Sequence, residues 1–149
     1  MKLTNEIRAK IMQWEGCRLT AYRCPAGVLT IGYGHTGPDV TPGKTISAAE
    51  AVKLFNADID RFAAQIEPLV SGVSLTERQF DALVSLAYNI GVGNLRSSTV
   101  LKLVKSNPDD PAIRSAFMRW TKATVGGKLK ELPGLVRRRA EEADHYFKK

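Results

Sequence analysis

Three side chains suited to catalysis follow one another near the start of the sequence: the carboxyl group of Glu15, the thiol of Cys24 and the hydroxyl of Thr30. Eight residues separate Glu15 from Cys24, and five separate Cys24 from Thr30. Together they offer a proton donor, a base or nucleophile, and a hydroxyl that positions a water molecule. Each residue is ordinary when taken singly, because glutamate is common on surfaces, cysteine in cores and threonine in strands. The combination predicts an active site.

The chemistry of this group depends on two ionisation states. A glutamic acid has an ordinary pKa of about 4.3, so it donates a proton at neutral pH only where burial or a nearby negative charge raises that pKa. Trp14 beside Glu15 favours such a setting. The thiol of Cys24, with an ordinary pKa of about 8.5, is mostly neutral at pH 7 unless cations lower it. Arg18 and Arg23 are close in sequence and are expected to lower it.

The residues that follow, Thr30-Ile-Gly-Tyr-Gly-His35, complete a pattern that resembles the phage-type lysozymes. In that family a glutamic acid, an aspartate or less often a cysteine, and a threonine act together on the glycosidic bonds of peptidoglycan. The resemblance implies a muramidase that hydrolyses the bond between N-acetylmuramic acid and N-acetylglucosamine. It implies that Glu15 is the general acid, that Cys24 is the base or nucleophile, and that Thr30 positions the water. No cofactor is expected.

Cys24 is the main departure from the family pattern, since most relatives carry an aspartate there. The resemblance implies a single displacement by water, whereas a thiolate is also able to form a covalent glycosyl intermediate. We favour the water route, and the stereochemical outcome stays open. A lytic transglycosylase is a close alternative, because it shares the glutamic acid but forms an anhydro product and needs no second catalytic residue.

Further residues take roles from the same resemblance. It implies that four side chains contact the sugar chain: Thr36, Tyr88, Asn89 and Ser98. It also implies that Asp58 pairs with His35, so His35 is interpreted as a partner that stabilises the fold and not as a catalytic base. One arginine among residues 137–139 is implied to approach Glu15, although three arginines on an amphipathic helix more often form a solvated face.

The elements that position these residues are predicted from apolar spacing and turn residues. Apolar residues from Leu3 to Trp14 recur at helical steps and predict a helix over 3–14 that ends near Glu15. Eight Gly or Pro residues between Pro25 and Gly43 predict a small twisted sheet. Ser47-Ala-Ala-Glu50 and Ser74-Leu-Thr-Glu77 are predicted capping boxes, the first opening a helix over 48–66.

Residues 100–104 and 112–120 are predicted to form two shorter helices, and a loop with Gly126-Gly127 leads to a final helix. The apolar positions of that helix are Val136, Ala140, Ala143 and Phe147. The predicted fold class is α+β, mainly α and lysozyme-like, in one domain over 1–149. A small lobe over about 15–46 packs beside a helical lobe over about 67–149 that includes helix 3–14. Helix 48–66 connects them, and the active-site cleft lies between them.

Length and composition agree with one ordinary globular domain, since the 149 residues are 44% hydrophobic and 25% charged. No segment approaches the roughly 20 apolar residues of a membrane span, and charges interrupt the first ten residues. We therefore expect synthesis in the host cytoplasm, no stable membrane insertion, and access to the wall through a separate membrane pore. A monomer is expected.

The net charge of +7 is concentrated at one end, because residues 119–149 hold nine Lys or Arg against four Asp or Glu. A basic surface favours encounters with polyanions such as nucleic acid, anionic membranes and the bacterial wall. Retention on an anionic wall is expected to weaken as salt rises. A basic nucleic-acid-binding module is the alternative from another class, but no helix-turn-helix or RNA-binding signature is present, so no nucleic-acid partner is expected.

The two cysteines, Cys17 and Cys24, are too few for a disulfide framework. Their spacing, with only two histidines in the chain, matches no zinc site, so no metal is expected. In an oxidising compartment, Cys17 and Cys24 are predicted to act as a redox pair. Their disulfide would block the catalytic thiol.

Overall fold

A computed structural model describes all 149 residues of the chain and divides them into two compact units. The sheet unit is Arg8–Arg61, and the helical unit is Met1–Ile7 with Phe62–Lys149. These limits differ from the predicted lobes, since most of the first helix belongs to the sheet unit. Within the sheet unit, Arg8 ties the first helix to the second, because it donates to Asn56 at 3.0 Å and to Asp60 at 2.6 Å.

The sheet unit contains most of helix α1 (Asn5–Glu15), a three-stranded sheet and most of helix α2 (Ala48–Ile66). The strands are β1 (Arg18–Arg23), β2 (Leu29–Gly32) and β3 (His35–Thr36), antiparallel in the order β1-β2-β3. Its core is a cluster of four buried residues: Ile31, Val40, Ile46 and Ala51. The predicted sheet and the helix over 48–66 are confirmed.

The predicted capping box of α2 is confirmed, because the N–H of Glu50 donates to the Ser47 hydroxyl and the Glu50 carboxylate accepts from the N–H of Ser47. The second predicted box is wrong. Thr76, and not Ser74, begins the next helix, and its side chain exchanges hydrogen bonds with Gln79. Thr76 has the extended backbone that an N-cap requires, which moves the start two residues along the chain.

The helical unit contains five α-helices: α3 (Glu77–Ile90), α4 (Val92–Arg96), α5 (Thr99–Ser106), α6 (Ala112–Phe117) and α7 (Pro133–Phe147). A 3₁₀ turn, Glu67–Val70, precedes them. Gly91, with φ of +95°, separates α3 from α4. Seven helices against five short strands confirm the prediction of an α+β, mainly α, fold. None of the helices is both long and apolar enough to cross a lipid bilayer.

The predicted loop around Gly126 is a β-hairpin, so that prediction is corrected. Strand β4 (Lys122–Val125) pairs in antiparallel register with β5 (Lys128–Glu131). Gly126 and Gly127 form the two-residue turn with φ of +58° and +78°. Two successive positive φ angles match the twist of paired strands and favour glycine at both positions. The two strands that the glycine pair joins show almost no alternation of apolar and polar residues, so the sequence pattern does not indicate them.

Candidate active site

The sheet of the sheet unit has one face toward its core and one face that carries predicted site residues. Ile31 and Leu29 pack in the core cluster. Successive side chains of a strand point to opposite faces, so Thr30 faces away from that cluster. The register places Thr30 directly opposite Tyr22 on β1 and Thr36 on β3. Thr36, a predicted sugar contact, is therefore an exposed cross-strand neighbour of Thr30.

Cys24 begins the turn that connects β1 to β2. Its N–H donates to the carbonyl of Val28 at 3.0 Å, and its carbonyl accepts from the N–H of Gly27 at 2.8 Å. Gly27 has φ of +80°, a conformation that side chains with a Cβ rarely adopt. The guanidinium of Arg23 donates to the Gly27 carbonyl at 2.9 Å. The turn is therefore closed by its own backbone and held by one side chain.

This turn lowers the pKa of the Cys24 thiol. The backbone N–H of Val28 has the largest effect and that of Ala26 the next, while burial opposes them and the Thr30 hydroxyl adds a further lowering. Hydrogen bonds to a thiolate favour the ionised form. The half-buried thiol is thus prepared to act as a base or nucleophile at lower pH than an ordinary cysteine.

The sequence-based explanation for this lowering is corrected. Arg18 and Arg23 were expected to act on Cys24 through their charge. Instead, Arg23 binds the Gly27 carbonyl, and the guanidinium of Arg18 lies over the ring of Tyr22 at 4.6 Å. Backbone N–H groups of the turn replace the cations as the main cause.

Thr30 lies next to the same turn. Its side chain is buried, with 4% of the residue exposed, and its hydroxyl donates to the Val28 carbonyl at 2.9 Å. Val28 therefore connects the two site residues, since its carbonyl accepts from both the N–H of Cys24 and the Thr30 hydroxyl, and its own N–H lowers the pKa of the Cys24 thiol. A hydroxyl also has two lone pairs, which remain able to accept a hydrogen bond from water.

Glu15 is the last residue of α1 and belongs to the same unit as Cys24 and Thr30. Gly16 follows with φ of +69°, and its N–H donates to the Met12 carbonyl at 3.0 Å. A glycine in this conformation is a common helix end, and it turns the chain from α1 into β1. The half-buried carboxyl group of Glu15 is therefore set at a sharp junction between helix and sheet.

His35 is held between two carboxylates. Its Nδ1 lies 2.7 Å from Asp58 on α2, as the resemblance implied, and its Nε2 lies 3.0 Å from Asp39. Arg61 donates to the other oxygen of Asp58 at 3.1 Å. Burial lowers the pKa of His35, but the carboxylates of Asp58 and Asp39 outweigh it, so the pKa is raised. The contacts agree with a structural role.

We expect His35→Gln to destabilise the protein in a pH-dependent way. A raised pKa in the fold means that protonated His35 stabilises it fully below about pH 6.5, and that this contribution is lost as pH rises through the raised pKa. The loss on substitution should be about 1.5–3 kcal/mol at low pH, the range for hydrogen bonds to charged groups. Urea unfolding between about pH 5 and pH 9 measures it. A pH-independent difference would contradict the expectation, and Asp39→Asn should shift the transition to lower pH.

Two predicted sugar contacts, Tyr88 and Asn89, lie at the end of α3 in the helical unit. The half-buried ring of Tyr88 packs against Phe62 with centroids 5.2 Å apart. Asn89 is exposed, and its side-chain oxygen accepts from Nη2 of Arg139 at 2.9 Å. Because arginine carries only donors, the amide hydrogens of Asn89 remain for other partners.

Ser98, the remaining predicted sugar contact, is instead the N-cap of α5. Its hydroxyl donates to the Leu95 carbonyl at 2.7 Å and accepts from the N–H of Leu101 at 3.1 Å. Only 5% of Ser98 is exposed. The contact prediction is corrected because the hydroxyl is buried and its hydrogen is engaged within its own helix end.

Two of the three consecutive arginines of α7 are buried, so the expected solvated face is wrong for them. Arg138 is 4% exposed and Arg139 is fully buried, while Arg137 is exposed. Arg139 Nε lies 2.8 Å and Arg138 Nε 3.3 Å from the fully buried carboxylate of Glu142. Ser85 also donates to Glu142. Charged side chains pack in the interior here because they neutralise one another.

The predicted redox pair does not fit the fold. Cys17 directly precedes strand β1 and Cys24 directly follows it, so the six extended residues of that strand separate the two cysteines. Six residues of extended chain span about 20 Å, and a disulfide requires Cα atoms within about 7 Å. Both cysteines are free thiols. An intramolecular bridge would require β1 to lose its extended conformation.

Two contributors to the site were missed from the sequence. Val28 acts only through its backbone, which leaves no signal in its side chain. Asp39 follows His35 by four residues, and that spacing could have suggested the contact. No group of three or more His, Cys, Asp or Glu side chains is arranged to hold a metal ion.

Comparisons with known proteins agree with this geometry. Residues 12–142 match the family model described as phage lysozyme. An endolysin of Acyrthosiphon pisum secondary endosymbiont phage 1 is 43% identical over 133 residues, which cover 89% of this chain and 88% of that protein. The endolysin structure from Escherichia coli O157:H7 phage FAHEc1 has a TM-score of 0.87 at 36% identity, covering 99% of this chain and 94% of that one. The muramidase domain of SpmX from Asticaccaulis excentricus has a TM-score of 0.89 at 33% identity, covering 99% of each chain. The likeness confirms a lysozyme-like fold.

Proposed function

The chain belongs to the phage lysozyme family and is a peptidoglycan hydrolase, and on that premise we propose that it cleaves the β-1,4 bond between N-acetylmuramic acid and N-acetylglucosamine. In this proposal Glu15 protonates the leaving oxygen. Cys24 activates a water molecule, which Thr30 positions. Thr36, Tyr88 and Asn89 contact the sugar chain.

One observation carries the proposal: Cys24 and Thr30 both donate a hydrogen bond to the backbone carbonyl of Val28. The backbone N–H groups of Val28 and Ala26 lower the pKa of the Cys24 thiol, which favours a negative charge where most relatives place an aspartate. A carboxylate accepts the same kinds of hydrogen bond, so the turn suits either group. The predicted cleft, the monomeric state, the absence of a nucleic-acid partner and the route through a separate membrane pore stay predictions.

The products of digested wall distinguish this reaction from its closest alternative. Hydrolysis adds water to the cleaved bond, whereas a lytic transglycosylase leaves an anhydro sugar of lower mass. We expect purified sacculi to release hydrated muropeptides only, as measured by mass spectrometry. Anhydro products as the main release would replace the proposed hydrolase with a transglycosylase.

We expect Cys24→Ser to lower the rate of wall lysis by about 10²-fold or more, because a serine hydroxyl does not ionise at neutral pH and supplies no base. Cys24→Asp should retain activity, since the carboxylate keeps a negative charge among the same N–H groups. Loss of turbidity of purified sacculi measures both variants.

Cys17→Ser is the matched control, because it removes the other thiol of the chain outside the turn. It should lyse sacculi at the wild-type rate. An unimpaired Cys24→Ser would remove the thiol from the mechanism.

A further inference from the structure

Asn89, near the end of α3, is an exposed residue whose side-chain oxygen is engaged by a buried one. Nη2 of Arg139 donates to Asn89 Oδ1 at 2.9 Å, and Arg139 is fully buried. The side-chain amide of asparagine is planar and carries its oxygen and its NH₂ group on separate branches. An oxygen that is hydrogen-bonded to a buried donor therefore turns the NH₂ group away from the interior of the helical unit.

Arg139 itself has little freedom to move. Its Nε lies 2.8 Å from the fully buried carboxylate of Glu142, one turn further along α7. Glu142 also accepts a hydrogen bond from the Ser85 hydroxyl on α3. A buried guanidinium that left this carboxylate would lose its opposite charge, so the ion pair holds Arg139 in one place. The rigid plane of the guanidinium fixes the directions of its donors, which transfers that order to Asn89.

An outward NH₂ group favours one kind of partner in a bacterial wall polymer. Sugar hydroxyls both donate and accept, so they suit an asparagine side chain in either orientation. Carbonyl oxygens only accept, and a wall polymer carries them on the acetamido groups of its sugars and on its stem peptides. The fixed amide of Asn89 matches such a carbonyl, because its own acceptor is already engaged by Arg139.

We infer that Arg139 is a positioning residue that fixes the Asn89 amide so that its NH₂ group donates to a carbonyl oxygen of the wall polymer. This role rests on the proposed contact between Asn89 and the sugar chain, and it gives that contact a direction. Free rotation would cost affinity, because three χ1 wells and two amide orientations leave the productive one populated about a sixth of the time. Arg139 acts through Asn89 and does not itself contact the polymer.

Affinity for the wall polymer tests this role without requiring cleavage. All variants carry Glu15→Gln, which is expected to bind without lysis, and the ligands are N-acetylated glycan strands with and without stem peptides. We expect Asn89→Ala to raise Kd by about 10-fold through loss of the hydrogen bond, and Arg139→Lys by about 5-fold through loss of orientation. Lysine keeps the charge beside Glu142 but has no rigid plane that holds a second partner.

The two substitutions combined separate positioning from a general effect on the fold. In the Asn89→Ala background, Arg139→Lys should change Kd by less than about 2-fold, because no amide remains to be oriented. Equal losses in both backgrounds overturn the role, and so does an unchanged affinity of Asn89→Ala for both ligands. Weakening with both ligands supports the role with an acetamido carbonyl, and weakening with the peptide-bearing strands alone supports it with a peptide carbonyl.

Nuclear magnetic resonance of the unsubstituted chain keeps the test decisive even where Arg139→Lys does not fold. The side-chain NH₂ group of Asn89 should have an order parameter near the rigid backbone value of about 0.85. A value below about 0.6 overturns the fixed orientation.

Two matched controls should keep the affinity of the parent chain. Ser85→Ala removes a hydrogen bond to Glu142 in the same buried cluster without touching Asn89, so it should lower the thermal midpoint and leave Kd unchanged. Asn107→Ala removes another exposed asparagine whose oxygen accepts a hydrogen bond, from the N–H of Asp109 at 3.0 Å. A rise in Kd for Ser85→Ala equal to that for Arg139→Lys would assign the loss to stability and overturn the role.

The positioning role and the proposed cleavage reaction are able to fail separately. Anhydro products from sacculi would replace the hydrolase but would leave the binding measurements unaffected. An unchanged affinity of Asn89→Ala would overturn the positioning role, while hydrated products would still support the hydrolase.

Discussion

Glu15→Gln is expected to abolish measurable lysis of purified sacculi, with a rate lowered by about 10²–10⁴-fold, the usual contribution of a general acid. The amide has nearly the shape of the carboxylic acid but carries no proton that it is able to give to a leaving oxygen. Departure of the sugar would then require an unprotonated oxygen, which is a poor leaving group. Turbidity loss measures the rate, and binding of the variant to sacculi should persist.

The position of Glu15 makes this substitution informative. It ends α1 directly before Gly16, so a change confined to the carboxyl group leaves the turn into β1 intact. Glu77→Gln, at an exposed glutamate in the first turn of α3, is the matched control and should lyse at the wild-type rate. Wild-type lysis by Glu15→Gln would remove Glu15 from the mechanism, and unfolding of the variant is checked by circular dichroism.

Glu142→Leu is expected to destabilise the protein by about 3–5 kcal/mol, the range for removing one partner of a buried ion pair. Glu142 is fully buried and lies within salt-bridge distance of Arg138 and Arg139, which are also buried. Without the carboxylate, two guanidinium groups stay in the interior with no opposite charge. A chain of this length should lose roughly 6–20 °C in thermal midpoint, as measured by calorimetry.

An exposed ion pair between α6 and α7 provides the comparison. Arg114 donates to Asp144 at 2.8 Å, and the side chain of Asp144 is 70% exposed. Solvent screening makes such pairs weak, so Asp144→Asn should cost no more than about 1 kcal/mol. Similar losses for Glu142→Leu and Asp144→Asn would show that burial does not control the strength of these contacts.

The sequence identifies the local elements of the sheet unit well, and tertiary contacts correct its account of the site. Helix α2 occupies the predicted residues because its apolar spacing and its capping box agree. The hairpin was missed because its strands are exposed and show no alternation that signals burial. The cause of the lowered Cys24 pKa was missed because the lowering comes from the backbone N–H groups of Val28 and Ala26. Every residue except proline has a backbone N–H, so the residue types give no signal of this effect.

By itself, the sequence determined the order of the elements, the family and the closeness of Cys24 to Thr30, since each of these depends on residues that are near one another along the chain. Only the tertiary structure decided that Arg139 is buried, that Ser98 is a helix cap and that Cys17 is far from Cys24. Burial and separation depend on which distant segments pack together. The spacing of apolar residues along a segment indicates which face of it is apolar. It does not indicate which distant segment packs against that face.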